Sequence, residues 1–411
     1  MKLSRNKNFY LLWTSQISSQ LAINIMNFLV LIQIYERTHS SIASSLVWVA
    51  YGVPAVILGP IAAAAVDMSN KRKLLITANL VQAVVIFVYA LLYSKFLYLS
   101  YGVVFLYSVM DQFYVPAEAA SLPSLINKNN LTRANGLFFI SAQTMALVGF
   151  GTAGLISELV GFRAAVVVGG TMLLVAFGAT LNLPRIGVSK IKTGAKMDEL
   201  VIEFFERIRE GYLFIRSQKT IYLPFIFLIW LQVSLSMLVV NLPAIGKDII
   251  GTKPSLAGTI VIFPAAIGAL LGTFMLPKIF ANNIRKKRVV ETALVLLALN
   301  FIFVAVIAPF LSFWTNRLTL VVAFFVLGAA YVSALVPTLT FLQLQTPHKL
   351  MGRVFGNFWF VANTATLIPV VFSATISEIF GVNLVIMFIG LIALGIFVFS
   401  RVKAEKYLLT A

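Results

Sequence analysis

Cysteine is absent from this 411-residue chain, and histidine occurs only as His39 and His348. Without a thiol there is no disulfide, thiolate metal site or cysteine nucleophile, and two isolated histidines make no metal cluster. The sequence also lacks a nucleophile elbow and a Gly-rich phosphate cradle ending in Lys-Ser or Lys-Thr. These gaps set aside the common hydrolase classes and ATP-driven work, so an enzyme is not expected, nor is a cofactor or a metal. Charge is scarce too: 11% of residues are charged against 60% hydrophobic, with a mean hydropathy of +0.95. A water-soluble domain cannot hide that much apolar surface. Lipid as the surrounding medium removes the difficulty.

What charge there is leans one way. Lys and Arg number 32 against 14 Asp and Glu, a formal +18. A nucleic-acid binder would gather such charge on one soluble face; here it falls in short clusters between apolar runs, so no nucleic-acid partner is expected. Lys2, Arg5 and Lys7 precede an apolar stretch from Phe9 to Tyr35. That stretch is longer than a signal-peptide core and has no small-residue cleavage site, so it reads as a retained transmembrane helix.

A hydrocarbon core about 30 Å thick needs about 20 apolar residues at 1.5 Å each. Runs of that kind predict helices near 9–35, 41–66, 74–94, 97–122, 134–161 and 162–183, then near 221–246, 255–280, 289–313, 318–345, 351–380 and 382–400. With the N-terminus inside, all cations but Arg37, Lys95, Arg163, Lys247, Lys253 and Arg317 fall on the cytoplasmic side. The positive-inside rule then puts both termini in the cytoplasm of a multi-pass cell-membrane protein. The domains expected are a six-helix bundle over 1–184, a cytoplasmic linker over 185–220 and a second six-helix bundle over 221–411. In the linker, Met197, Leu200, Val201, Phe204, Phe205, Ile208, Tyr212 and Ile215 recur at three- and four-residue steps, the pattern of an amphipathic helix resting on the membrane surface.

The two halves resemble each other. ISELVG at 156–161 recurs as ISEIFG at 376–381, and the same offset pairs Arg133 with Arg353, Gly136 with Gly356 and Gly170 with Gly390. Pro116 and Pro337 are similarly spaced, and the basic clusters Lys71–Lys73 and Arg285–Arg288 occupy equivalent loops. Ordered matches at nearly constant spacing argue for duplication. Six helices repeated in parallel about an axis normal to the membrane are the architecture of alternating-access transporters, with the site between the halves.

GPIAAAAVDMSNKRKLL at 59–75, VPAEAASLPSLI at 115–126, LTRANGL at 131–137 and EGYLFIRSQ at 210–218 resemble the major facilitator superfamily, and within it the macrolide-efflux and siderophore-exporter group. Trp13, Gln16 and Ser19 with Tyr35-Glu36-Arg37-Thr38 are similar to the same group. The resemblance runs over essentially the whole chain. It implies an all-α membrane protein with twelve transmembrane helices in two pseudo-symmetric six-helix bundles. It also implies secondary active export, by antiport, of an amphiphilic drug-like or siderophore-like small molecule; a lysophospholipid transporter of the same fold is the alternative. Two departures stand out. Tyr107 stands where many proton-driven drug exporters carry an Arg in the fourth helix. The Gly-Pro motif of antiporter helix 5 is reduced to Gly149, Gly151 and Gly154.

On the fourth span, Tyr107, Asp111, Tyr114 and Glu118 are spaced 4, 3 and 4, so they share one helix face. A charge at mid-membrane costs roughly 2.5–3.5 kcal/mol on the lenient insertion scale, so a face with two acids should avoid lipid. Asp111, with Glu118, is expected to couple transport to protons or to bind a cationic substrate. Gln16, Gln20, Asn24 and Asn27 form a second polar stripe, on the first span. Gln232, Ser236, Asn241, Tyr331, Asn357 and Asn363 are the corresponding cavity-lining candidates in the second half, where the sequence reads as having no deep acid. Asp67, Lys71, Arg72, Lys73, Arg133 and Arg353 are expected to form a cytoplasmic gate, with Asp67 capping a helix or pairing with Arg133. The partners expected are thus a small-molecule substrate, protons and membrane lipid, with the protein acting as a monomer.

Overall fold

The computed structural model describes residues 6–184, 186, 197–281, 285–311, 313–347 and 350–402. The first half comprises α1 (Lys7–Thr38), α2 (Ser41–Met68), α3 (Lys71–Leu92), α4 (Leu99–Leu125), α5 (Lys128–Val160) and α6 (Phe162–Leu181). Then come α7 (Met197–Ser217), α8 (Lys219–Val240), the single turn α9 (Leu242–Ala244), α10 (Ala257–Ala281), α11 (Lys286–Ile302), α12 (Phe313–Gln345), α13 (Met351–Phe380) and α14 (Val382–Val402). Among the described residues, eleven helices are long and apolar enough to cross a bilayer. The twelfth crossing is α4, whose 27 residues suffice in length but include the polar face around Asp111 and Glu118. The amphipathic α7 stands apart from the twelve.

Four helices start about a turn or more before the apolar runs suggest, because capping residues and cations extend helices beyond them. Asn70 caps α3, accepting from the Lys73 backbone N–H at 3.2 Å, so this helix begins at Lys71 rather than at 74. Conversely, the run over 221–246 does not stay one helix. Pro243 starts a new turn after Asn241, and a π-helical turn follows over Ile245–Ile249. The run over 289–313 likewise leaves α geometry at Phe303.

The chain divides into two compact units. The first comprises Met1–Arg37 and Leu46–Phe205, and the second Thr38–Ser45 and Glu206–Ala411. Within each, small residues let helices approach. Gly170 of α6 lies against the Phe87 ring of α3, where an added Cβ would come within 2.9 Å. Gly390 of α14 lies in the same way against Phe301 of α11, again at 2.9 Å. In the second unit the Gly268–Gly272 pair of α10 meets α12 backbone to backbone: a Cβ on Gly268 would strike the Phe325 carbonyl, and one on Gly328 the Ala265 carbonyl. Such small-residue faces let lipid-embedded helices pack without a hydrophobic drive between them.

The repeated segments also fold alike. Gly161 (φ 85°) and Gly381 (φ 90°) both end their helix in the left-handed region. Each donates its backbone N–H back to a serine carbonyl, Ser157 at 2.9 Å and Ser377 at 3.0 Å. A side chain in that conformation would be strained.

Candidate functional site

The polar face of α4 turns into the first unit. Tyr107 and Tyr114 are fully buried, Asp111 is 6% exposed and Glu118 7%. The Tyr51 phenol of α2 donates to Asp111 Oδ2 at 3.0 Å. Asp111 Oδ1 is buried with no hydrogen-bond partner, although the Gln82 amide of α3 is near enough to interact with the carboxyl. One helical turn away, the Tyr107 hydroxyl donates to Asn27 Oδ1 of α1 at 2.6 Å, and Gln82 Nε2 donates to the Tyr107 carbonyl at 3.0 Å. Ser108 donates to the Tyr51 carbonyl at 2.6 Å.

A second chain of polar groups follows on the same face. Asn79 Nδ2 of α3 donates to Ser15 Oγ of α1 at 3.2 Å, Ser15 and Tyr114 hydroxyls lie 2.9 Å apart, and Tyr114 donates to Glu118 Oε1 at 3.3 Å. Two acids from one helix are therefore met by hydroxyls and amides from three others, and no cation stands among these contacts. A buried carboxylate so placed is costly to keep charged unless its lone pairs are filled. At Asp111 one oxygen is unfilled, which leaves that group room to gain and lose a proton or to meet a donor on a ligand.

The α1 stripe divides between neighbours. Gln16 Nε2 donates to the Phe138 carbonyl of α5 at 2.7 Å, and its Oε1 accepts from Ser141 at 2.8 Å. Asn24 donates back to the Gln20 carbonyl at 2.7 Å and lies against Gly149 of α5. Only Asn27 reaches α4. In the second unit, Asn241 Nδ2 donates to Ser373 of α13 at 3.1 Å, Ser236 bonds the Gln232 carbonyl within its own helix, Tyr331 is half-buried and Asn363 exposed. Asn357 is 2% exposed, and its amide donates to the Ile208 carbonyl of α7 at 2.8 Å.

Of the expected gate residues, Arg72 donates to the Leu181 carbonyl at the end of α6 at 2.6 Å. Lys71 is 5% exposed, its Nζ without a partner; Lys73 contributes its backbone to the Asn70 cap, and Arg133 is exposed. The Asp67 side chain lies outside the described residues. Arg353 pairs with Glu210 of α7 at 2.6 Å. Together with the Asn357 bond, this ties α7 to the start of α13. Gly211 makes the approach possible, because a Cβ there would collide with the Asn357 amide and lie 2.8 Å from the Arg353 carbonyl.

A family model described as Major Facilitator Superfamily matches residues 12–369. The chain belongs to that superfamily. It is 24% identical over 395 residues to macrolide efflux protein A of Streptococcus pyogenes, a match covering 91% of this chain and 90% of that protein. It is 28% identical over 190 residues to an uncharacterised transporter of the superfamily, YjbB of Bacillus subtilis (strain 168). That match spans 44% of this chain and under half, 46%, of the relative. Among solved structures, the nucleoside transporter NupG aligns with a TM-score of 0.70 at 17% identity, covering 97% of this chain and 99% of the other. A bacterial homologue of the human lysosomal transporter Spinster aligns at 0.69 and 14%, covering 99% and 100%. The relatives and the fold are those of transporters of small molecules, not of enzymes.

Within this superfamily member, four residues that the sequence did not single out complete the α4 site: Tyr51, Ser15, Asn79 and Gln82. Asn79 and Gln82 carried a signal, two amides three residues apart in an otherwise apolar run. Tyr51 carried none, being one aromatic among many. The second half also holds a buried acid, near a helix start rather than at mid-span. Glu291 is 5% exposed and lies in the second turn of α11, which starts at Lys286. It accepts from Ser400 at 3.0 Å and pairs with Arg401 at 3.3 Å and Lys287 at 3.7 Å.

Proposed function

We propose that this chain is a secondary active exporter that moves an amphiphilic, drug-like or siderophore-like small molecule by alternating access, coupled to protons through Asp111. The carrying observation is the buried Asp111 carboxyl with one phenolic donor and one unfilled oxygen. Deprotonated, it takes a charge-assisted hydrogen bond from Tyr51 and ties α4 to α2; protonated, it loses most of that extra strength. A proton or a cationic substrate thereby biases one arrangement of the helices over another, which is all a coupled transporter requires. Glu118, held by Tyr114 and through it by Ser15 and Asn79, acts as the positioning acid of the same face.

Export rather than import is supported by the end-to-end similarity to a protein named for macrolide efflux. The orientation is taken from the cations: both termini, the α2–α3 loop and α7 on the cytoplasmic side of the cell membrane. The protein works as a monomer in this reading. The deciding experiment is a proteoliposome assay with an imposed pH gradient, following amphiphilic dye or macrolide flux for wild type and Asp111→Asn. Gradient-driven flux in the wild type that disappears in the variant supports the proposal; equal flux in both overturns the coupling role. Including a fluorescent lysophospholipid separates the alternative substrate class.

A further inference from the structure

Beside Glu291 the second unit opens a groove of about 250 Å³ between α8, α11 and α14. Its walls are apolar, including Ile226, Phe227, Trp230, Leu294 and Phe399, with polar groups only from Lys287, Glu291 and Ser400. Ile226 and Phe399 are 46% and 43% exposed, so the groove opens sideways, to the surface that bilayer chains cover. Its polar end lies where α11 begins and α14 ends, next to the basic run Arg285–Arg288.

The charges at that end do not balance. Glu291 is the one carboxylate between Lys287 and Arg401, so one positive charge is in surplus before the neighbouring Lys286 and Arg288 are added. Arg401 engages Glu291 through Nε at 3.3 Å, and its side chain is 63% exposed. Glu291 thus tethers the guanidinium while most of the Arg401 side chain stays accessible, and a guanidinium suits a phosphate through two parallel N–H bonds. An apolar slot roofed by a fixed, net-positive Arg–Lys pair matches an amphiphile whose chain is long and whose head is a phosphate without a compensating cation. Zwitterionic lipid fits the slot equally but brings its own positive charge to a positive mouth.

We propose that this groove is a specific site for an anionic phospholipid, one acyl chain lying against Trp230 and Phe227 and the headgroup phosphate on Arg401 and Lys287. Basic pockets between spans at the positive side of a membrane protein are suited to such headgroups. The site is separate from the α4 face, and its occupancy does not depend on the transport reading above.

The test uses Trp230 as reporter. A full-length variant with Trp13, Trp48, Trp314 and Trp359 replaced by Phe retains Trp230 alone, and in vesicles bromine is placed on the acyl chains of either phosphatidylglycerol or phosphatidylcholine at equal mole fraction. Quenching severalfold stronger from the brominated anionic lipid is expected. The triple change Lys287→Gln, Glu291→Gln and Arg401→Gln, which removes all three charges together so that no buried charge is left alone, should erase that preference while leaving quenching by phosphatidylcholine in place. Native mass spectrometry of the otherwise unaltered chain, with and without the triple change, gives the same comparison should the tryptophan replacements disturb folding. Equal quenching or retention of both lipids by the wild-type groove, or a preference that survives the triple change, overturns the proposal.

Discussion

Tyr51 and Asp111 meet across α2 and α4 at 3.0 Å, and the bond uses only one of the two carboxyl oxygens. Asparagine is nearly isosteric with aspartate and can accept the same phenol. Asp111→Asn should therefore fold and reach the membrane as wild type does, while gradient-driven flux falls at least about tenfold, a loss equivalent to about 1.4 kcal/mol or more of coupling. Tyr51→Phe removes the phenolic donor from the buried carboxyl, at a cost to stability of about 1–3 kcal/mol. Flux measured against pH, with thermal unfolding in the same detergent, separates the two effects.

Gly211 permits α7 to lie against Arg353 and Asn357. Gly211→Leu should detach α7, since both obstructing groups are on α13 and one is a backbone carbonyl. Hydrogen exchange over 197–217 is expected to rise sharply, with little change elsewhere in the second unit. Glu210→Gln, by contrast, removes only a half-exposed ion pair, worth about 0–1 kcal/mol, and should leave exchange near wild type.

The α10–α12 contact admits no side chain at Gly268 or Gly328. Gly268→Val is expected to lower the melting temperature strongly or to prevent accumulation of folded protein. The control is Gly178→Ala on α6, where an added Cβ meets nothing within 4 Å. There, relief of glycine's conformational freedom should stabilise by about 0.5–1 kcal/mol. Equal melting temperatures for the two variants would contradict the backbone-to-backbone packing.

Asp248 lies outside the spans in the Ile245–Ile249 turn, and burial raises its carboxyl above the ordinary value of 3.8, with Lys247 pulling the other way. The folded state therefore holds this proton more tightly than the unfolded chain does, so the group favours folding at low pH and loses that advantage as pH rises through its folded value. Asp248→Asn should consequently be more stable than wild type at neutral pH, and the gap should close as pH falls toward 4. Melting temperatures of both proteins from pH 4 to 7 check the sign.

Span positions and the fourth-helix face were legible because bilayer thickness and the 3.6-residue period act on every residue at once. The duplication was legible for a related reason: a positive φ at Gly161 and Gly381, and close contacts at Gly170 and Gly390, admit few other residues. What surrounds Asp111 was not legible, since Tyr51, Ser15, Asn79 and Gln82 come from three other helices whose rotation no periodicity fixes. Asn357 misled for the same reason. An amide in an apolar span suggested a lining role, and in the structure it donates to the Ile208 carbonyl of α7. Glu291 was passed over because it stands near a helix start among cations, where an acid reads as solvated, and it is α14 that buries it.

The left-handed glycines closing α5 and α13 carry a consequence for inheritance and engineering alike. Any other L-residue at either place adds roughly 1–2 kcal/mol of steric cost, whatever the substrate or the conformation being visited. A library of all single variants should thus show two narrow bands of intolerance, at 161 and at 381, where one helix gives way to the next. Ancestry from one six-helix gene would then be visible in fitness data alone, without aligning this chain to anything.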